Sequence, residues 1–231
     1  SAPRAAFSWV TKKLMGHVSI PIITFNRINT PDVGNDVLAD GCADMISMAR
    51  PFLADPHFVR KAMDEKAAQI APCIACNQAC LDHTFSGKIS SCLVNPQACY
   101  ETELTVKPTN TPKTIAVVGA GPAGLSAALT ATSRGHKVTL FDKASEIGGQ
   151  LNMAKQVPGK EEFWGLVDWY RAMLANSDVV VHLDTQATAD ALSDFDEVII
   201  ATGVLPRDTD ITGQDGPNVL SYIDVLRGKA E

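Results

Sequence analysis

Apolar and polar positions alternate along this chain with two different periods, and together they lay out three stretches. In residues 1–64 the order reads helix, strand, helix, strand, helix. Ala5 to Met15 predicts a helix end that stops at Gly16, and Ile20 to Phe25 is a β-branched apolar run that predicts a buried strand. Thr30-Pro31-Asp32 opens the next helix: Thr as N-cap, Pro in the first turn, Asp facing the positive end of the dipole. Gly41 closes it, Asp44 to Ala49 predicts the second strand, and Asp55-Pro56 caps a helix reaching about Met63. This alternation belongs to a parallel sheet covered by helices. Two strands do not make a stable sheet alone, so partner strands are expected elsewhere.

Residues 65–107 show little periodicity and carry most of the cysteines, and Lys107 to Pro112 has linker composition. A new domain is expected over 113–231. Thr114 to Val118 predicts a strand, Pro122 to Arg134 a helix ended by Gly135, and Lys137 to Phe141 a second strand. Glu161 to Ala175 predicts an amphipathic helix, with further strands at Val179 to Leu183 and Glu197 to Ile200. The fold class expected is α/β.

The first turn of that domain is Gly119-Ala120-Gly121-Pro122-Ala123-Gly124, which follows a strand and opens a helix. Gly119 permits a tight turn, Gly121 lets backbone approach a pyrophosphate, and Gly124 lets helix and strand pack closely. The helix N-terminus offers free N–H groups to the phosphates. Asp142, 18 residues beyond Gly124, ends the second strand. Its carboxylate suits ribose hydroxyls and would repel a 2′-phosphate. Glu146 to Leu151, with Gly149 and Gln150, and Ala201-Thr202-Gly203 resemble the second Gly-Gly and the Ala-Thr-Gly motifs of flavoproteins with two dinucleotide-binding domains. They favour FAD over NAD. A plain glycine turn is the bland alternative to each motif taken singly.

Cys73, Cys76, Cys80 and Cys92 are separated by two, three and eleven residues. Three thiolates on one short loop reach three corners of an iron–sulfur cubane, and a fourth follows. Structural zinc is the rival, although it more often takes two separated cysteine pairs or mixed cysteine and histidine ligands. Cys42 and Cys99 are expected to be bystanders. Arg27 and Arg50 follow the two strands of residues 1–64, where a (β/α)8 barrel binds phosphate. Ordinary surface ion pairs are the alternative for both.

A net charge of -6 and a pI near 5.3 argue against a nucleic-acid surface. The sequence has no apolar run of membrane-spanning length and no signal-peptide pattern. A soluble, cytoplasmic enzyme is expected.

Asn26 to Asn29, Met48 to Pro56, Cys73 to Cys80 and Ser91 to Pro96 together resemble the bacterial NADPH-dependent 2,4-dienoyl-CoA reductases. These are of the trimethylamine dehydrogenase type within the old yellow enzyme group. The resemblance implies the C-terminal end of an FMN-binding TIM barrel (1–64), a 4Fe-4S segment (65–107) and an incomplete Rossmann-like FAD domain (113–231). It implies that Arg27, Ala49 and Arg50 contact FMN, that the four cysteines hold the cluster, and that Gly121, Ala123, Asp142, Gln150 and Ala187 line the FAD site. Electrons would pass from NADPH through FAD and the cluster to FMN, and on to an enoyl-CoA thioester. No catalytic residue is assigned: the proton donors of such enzymes lie upstream of Ser1, and Tyr100, Tyr170 and Tyr222 lie outside the barrel segment. The chain reads as an internal piece of such an enzyme, ending before an NADPH loop. A related conjugated-acid reductase or amine dehydrogenase, and an electron-transfer module of the glutamate-synthase type, stay as alternatives. So does a non-enzymatic zinc-binding piece.

Overall fold

The computed structural model describes residues 2–207 and 210–228. It is an α/β structure in two compact units, Ser1–Thr105 and Val106–Glu231, with a parallel sheet in each.

The first unit begins with α1 (Ser8–Leu14), β1 (Ile23–Thr24), α2 (Pro31–Ala39) and β2 (Met45–Ile46). Thr30 caps α2 by accepting a hydrogen bond from the Val33 N–H, and Pro31 takes the first turn, where its missing N–H costs nothing. β1 and β2 pair in parallel, Ile23 with Met45 and Thr24 with Ile46. Ile28, Val37 and Cys42 are sealed there, packed by Val33, Ile46 and Met48. Cys42 is thus a core thiol.

The strand expected at Ile20 to Phe25 is corrected. Only two of its residues pair, and Ile20 and Phe25 are 70% and 68% exposed. The strand expected at Asp44 to Ala49 is likewise cut to Met45–Ile46. A two-stranded sheet supplies neither the neighbours nor the cover that would extend and bury such runs. Beyond β2 the chain forms α3 (Arg50–Ala54), α4 (Phe58–Met63) and, in the cysteine segment, α5 (Leu81–Phe85). α3 and α5 were not expected. α3 starts on Pro51 in its first turn, and α5 is a single turn too short for a period to register.

Buried Asp55 ties this unit together. Its carboxylate accepts from the His57 N–H at 2.9 Å, the Ala71 N–H at 2.8 Å and the Lys61 ammonium at 2.6 Å. One side chain therefore fixes the start of α4 and the entry to the cysteine segment.

The second unit builds β3 (Thr114–Val118), α6 (Pro122–Ser133), β4 (Lys137–Phe141), α7 (Leu151–Ala154), α8 (Glu162–Ala175), β5 (Val180–His182), α9 (Ala189–Leu192), β6 (Glu197–Ile200) and α10 (Tyr222–Leu226). Its sheet has the order β5-β4-β3-β6, all parallel. The central strands read as near-continuous apolar runs because both faces are covered. Val117, Val138 and Leu140 of the strands and Leu125 and Val167 of the helices are fully buried. Thr114 and Asp196 clip β3 to β6: the Asp196 carboxylate accepts from both the N–H and the hydroxyl of Thr114 and sits below the usual carboxylate range for that reason. The short helices α7, α9 and α10 carry too few residues to show a period and were not expected. Among the described residues, no helix is long and apolar enough to cross a membrane.

Candidate dinucleotide cleft and cysteine loop

β3 delivers the glycine loop to the N-terminus of α6 at the C-terminal end of the sheet, where ligands of open α/β sheets bind. Gly119 has φ +112°, and a Cβ placed there would lie 2.3 Å from the Ala201 carbonyl oxygen. At Gly124 a Cβ would lie 1.8 Å from the Gly119 oxygen. Both positions are closed to any side chain. A Cβ on Gly121 would instead meet open space. This is the cradle that backbone leaves for a ligand at a helix N-terminus.

The space in front of it is a cleft of about 1360 Å³, above the usual range for a small-molecule pocket. Gly119, Gly121, Ala123, Asp142, Gly149 and Gln150 line it. Gly124 does not, being the packing contact behind the loop, and Ala187, half-buried in the loop before α9, does not reach it either. Asp142 has a second task that its sequence position did not reveal. Its carboxylate accepts from the Ala120 N–H at 2.6 Å and the Ala144 N–H at 2.8 Å, so it braces the glycine loop. Each oxygen keeps a further lone pair for a hydroxyl. Gln150 donates to the Val204 carbonyl at 3.1 Å, joining the Gly-Gly turn to the segment after Ala201-Thr202-Gly203. Asn152, Lys155 and Trp164, which carry no motif, complete the wall.

In the first unit the four cysteines are half-buried free thiols. Burial pushes the Cys73 thiol above its ordinary value. The Ala75 N–H and the nearby Arg50 guanidinium oppose this, while the charges of Cys92 and Cys76 reinforce it. Burial likewise raises Cys92, against N–H groups of Asn95 and Val94 and with the charges of Cys76 and Cys80. Cys92 thus lies within electrostatic reach of Cys73, Cys76 and Cys80, and Cys73 within reach of Cys76. Ala75 and Asn77 take left-handed backbone, with φ of 53° and 62°. The loop is held from outside: Arg50 donates to the Asn77 side-chain oxygen, and Asn95 Nδ2 donates to the Leu53 carbonyl at 2.9 Å. Among the described residues, no three His, Cys, Asp or Glu side chains converge on one point as a single ion would require. Cys99 is exposed.

The other sequence-derived positions flank these strands. Arg27, at φ 56° beside Asn26 at 88°, is a left-handed pair just beyond β1, and its Nε donates to the Ala2 carbonyl at 2.8 Å. Ala49 is exposed at the N-cap of α3, immediately before Arg50.

Comparison with known proteins matches residues 113–229 to the family described as pyridine nucleotide-disulphide oxidoreductase. Residues 1–69 match the NADH:flavin oxidoreductase / NADH oxidase family. The chain is 41% identical to a metal reductase of Desulforamulus reducens, over 100% of this chain and 36% of that protein. It is 37% identical to a cinnamate reductase of Clostridium sporogenes, over 90% of this chain and 31% of that one. A solved structure of 2-naphthoyl-CoA reductase with 2-naphthoyl-CoA superposes with a TM-score of 0.94 at 32% identity, covering 99% of this chain and 35% of that one. The chain thus spans about a third of the length of the curated relatives it matches.

Proposed function

The chain belongs to the pyridine nucleotide-disulphide oxidoreductase family over residues 113–229 and to the NADH:flavin oxidoreductase / NADH oxidase family over residues 1–69, and from that premise we propose that it is part of an iron–sulfur flavoprotein reductase. In this reading residues 1–64 are the end of an FMN-binding barrel, 65–107 a 4Fe-4S segment and 113–231 a Rossmann-like FAD domain. The enzyme takes electrons from NADPH and reduces conjugated enoyl-CoA thioesters, 2,4-dienoyl-CoA first among them. The carrying observation is the four half-buried thiols of Cys73, Cys76, Cys80 and Cys92 on one segment, with Cys92 in electrostatic reach of the other three and Arg50 beside Cys73.

That arrangement fits a cluster. Burial, with a smaller contribution from neighbouring thiols, raises Cys73 and Cys92, a cost that bound cationic iron would relieve, and the N–H groups of Ala75, Val94 and Asn95 would be the sulfur hydrogen bonds through which a protein tunes such a centre. Arg27 and Arg50 stand beyond the ends of two parallel strands, where a barrel takes a phosphate, and the left-handed Asn26-Arg27 pair is backbone strain of the kind kept at ligand sites. Gly121 gives FAD its backbone approach, and Asp142 offers acceptors for ribose hydroxyls. Bound flavins supply the exchange between two-electron hydride and one-electron transfer. The names of two relatives, a cinnamate reductase and a 2-naphthoyl-CoA reductase, place conjugated acids and thioesters among the substrates of similar proteins.

The test is anaerobic purification of the intact protein with iron, sulfide and zinc analysis, followed by NADPH oxidation assays. About four irons with matching sulfide and flavin absorption are expected, with turnover on 2,4-dienoyl-CoA and none on trimethylamine. Zinc in a colourless protein would overturn the redox reading. Inactivity with every conjugated thioester would overturn the substrate class alone.

A further inference from the structure

Among the described residues lining the cleft of the second unit, one cation is buried without a counter-charge. Lys155 ends α7 and is only 6% exposed. Its ammonium lies 4.0 Å from the centre of the Trp164 ring, and both residues line the cleft. Among the described residues no carboxylate or hydrogen-bond acceptor engages that ammonium. A cation facing a ring is a weak arrangement for a charge largely removed from water, since burial of an unpaired ion is strongly unfavourable. The other cations of the cleft are placed differently. Arg171 is paired with Asp168 at 2.7 Å and Glu146 at 3.6 Å, and Lys143 and Arg227 are exposed to solvent. Asn152, one turn before Lys155 and so on the same helix face, leaves its Oδ1 buried without a donor.

The same cleft is lined by Gly121, Pro122 and Ala123 at the N-terminus of α6, whose dipole amounts to about half a positive charge. A pyrophosphate seated there carries two negative charges and needs another cation. Exposed lysines offer little, because water screens them. Lys155 offers a largely dehydrated ammonium in the same cleft, held in place by the Trp164 face.

We infer that Lys155 is a cofactor-binding residue whose ammonium contacts the pyrophosphate of the bound dinucleotide, completing the anion site begun by Gly121 and α6. The inference rests on the FAD reading above. Trp164 is its positioning residue, and Asn152 accepts from a hydroxyl of the same ligand.

The experiment strips flavin from the intact protein and follows rebinding of FAD by flavin fluorescence, with ADP and adenosine as competitors. Lys155→Met keeps the stem and removes the charge, and Lys155→Gln is a second neutral replacement. FAD and ADP are expected to bind about 10–100-fold more weakly to both variants. Adenosine should compete as before, and FAD affinity should depend less on salt. Circular dichroism reports whether each variant is folded. A folded variant that binds FAD and ADP like the wild type overturns the inference. So does an equal loss for ADP and adenosine, which would mean damage to the cleft rather than a missing phosphate contact. Failure of the stripped wild type to bind FAD at all would defeat the FAD reading itself, and the role of Lys155 with it.

Discussion

The two units use the same strand-to-helix grammar and reach different degrees of closure. In the second, a four-stranded sheet carries its own helices, and Val117, Val138, Leu140, Leu125 and Val167 are sealed from solvent. In the first, Thr24 is the one residue among the largest fully buried side chains, and Ile20, Ile23, Phe25 and Met45 lie open on and beside two-residue strands. The second unit is therefore held by apolar packing and glycine contacts. The first buries smaller apolar groups around Ile28, Val37, Phe58, Ile70 and Ile74 and adds polar ties such as Asp55.

The largest effect is expected at Gly124. A methyl group there would overlap the Gly119 oxygen at 1.8 Å, and backbone cannot yield as a side chain can. Gly124→Ala should cost about 4 kcal/mol or more, the range reserved for unrelievable clashes. Hydrogen exchange should show lost protection in β3 and α6 and little change in residues 1–105. Gly121→Ala is the control: its Cβ meets open space, so stability should hold while FAD affinity falls. Equal stability loss in both variants would break the claim that one glycine packs and the other cradles.

Asp55→Ala tests the first unit's reliance on polar ties. It leaves the Lys61 ammonium with the Gln69 carbonyl alone and strands two backbone N–H groups, so about 2–3 kcal/mol should be lost. The expected signature is loss of protection from α4 into the cysteine segment. A variant with unchanged exchange in residues 55–80 would show that apolar contacts hold this unit after all.

How far the sequence could foresee this follows from the same contrast. β3, α6, β4 and β6 stand within a residue of expectation because continuous apolar runs and glycine punctuation agree there. β1 and β2 shrank to two residues each because strand propensity at Ile20 to Phe25 has no neighbours to pair with. Of the cleft, the backbone contributors were legible, because glycine and a strand-ending acid leave spacing signatures. Lys155 and Trp164 were not: they come together through the packing of α7 and α8, and no spacing rule encodes that pair. The bracing of the loop by Asp142 was hidden for a similar reason, being a hydrogen bond across 22 residues.

Tyr170 gives a pH handle on the second unit. Burial on α8 pushes its hydroxyl up to about 12, so the folded state keeps a proton that the unfolded chain releases near pH 10. The sign follows: this contribution is complete below about pH 10 and is lost as pH rises toward about 12, amounting to roughly 2–3 kcal/mol. Tyr170→Phe should flatten the fall in stability over that window. Absorbance near 295 nm should show its tyrosinate forming last. Early ionisation would mean that α8 is less firmly packed than the burial of Val167 and Tyr170 indicates.

The smallest effect separates caps from packing. Thr30 caps α2, and Thr188 caps α9 with the same geometry, each side chain accepting from the N–H three residues on, at 3.4 and 3.3 Å. Either Thr→Ala change removes one long hydrogen bond, for about 0.5–1 kcal/mol. The consequences should nevertheless differ. α2 places Val37 in the core shared with Ile28 and Cys42, so fraying its start loosens that core. α9 buries no residue, and its loss should stay local. Denaturant midpoints and exchange at α2 and α9 would measure this. If Thr188→Ala proved as costly as Thr30→Ala, the ranking of the two units by closure would be wrong, because the same small loss would then matter equally where the core is complete and where it is not.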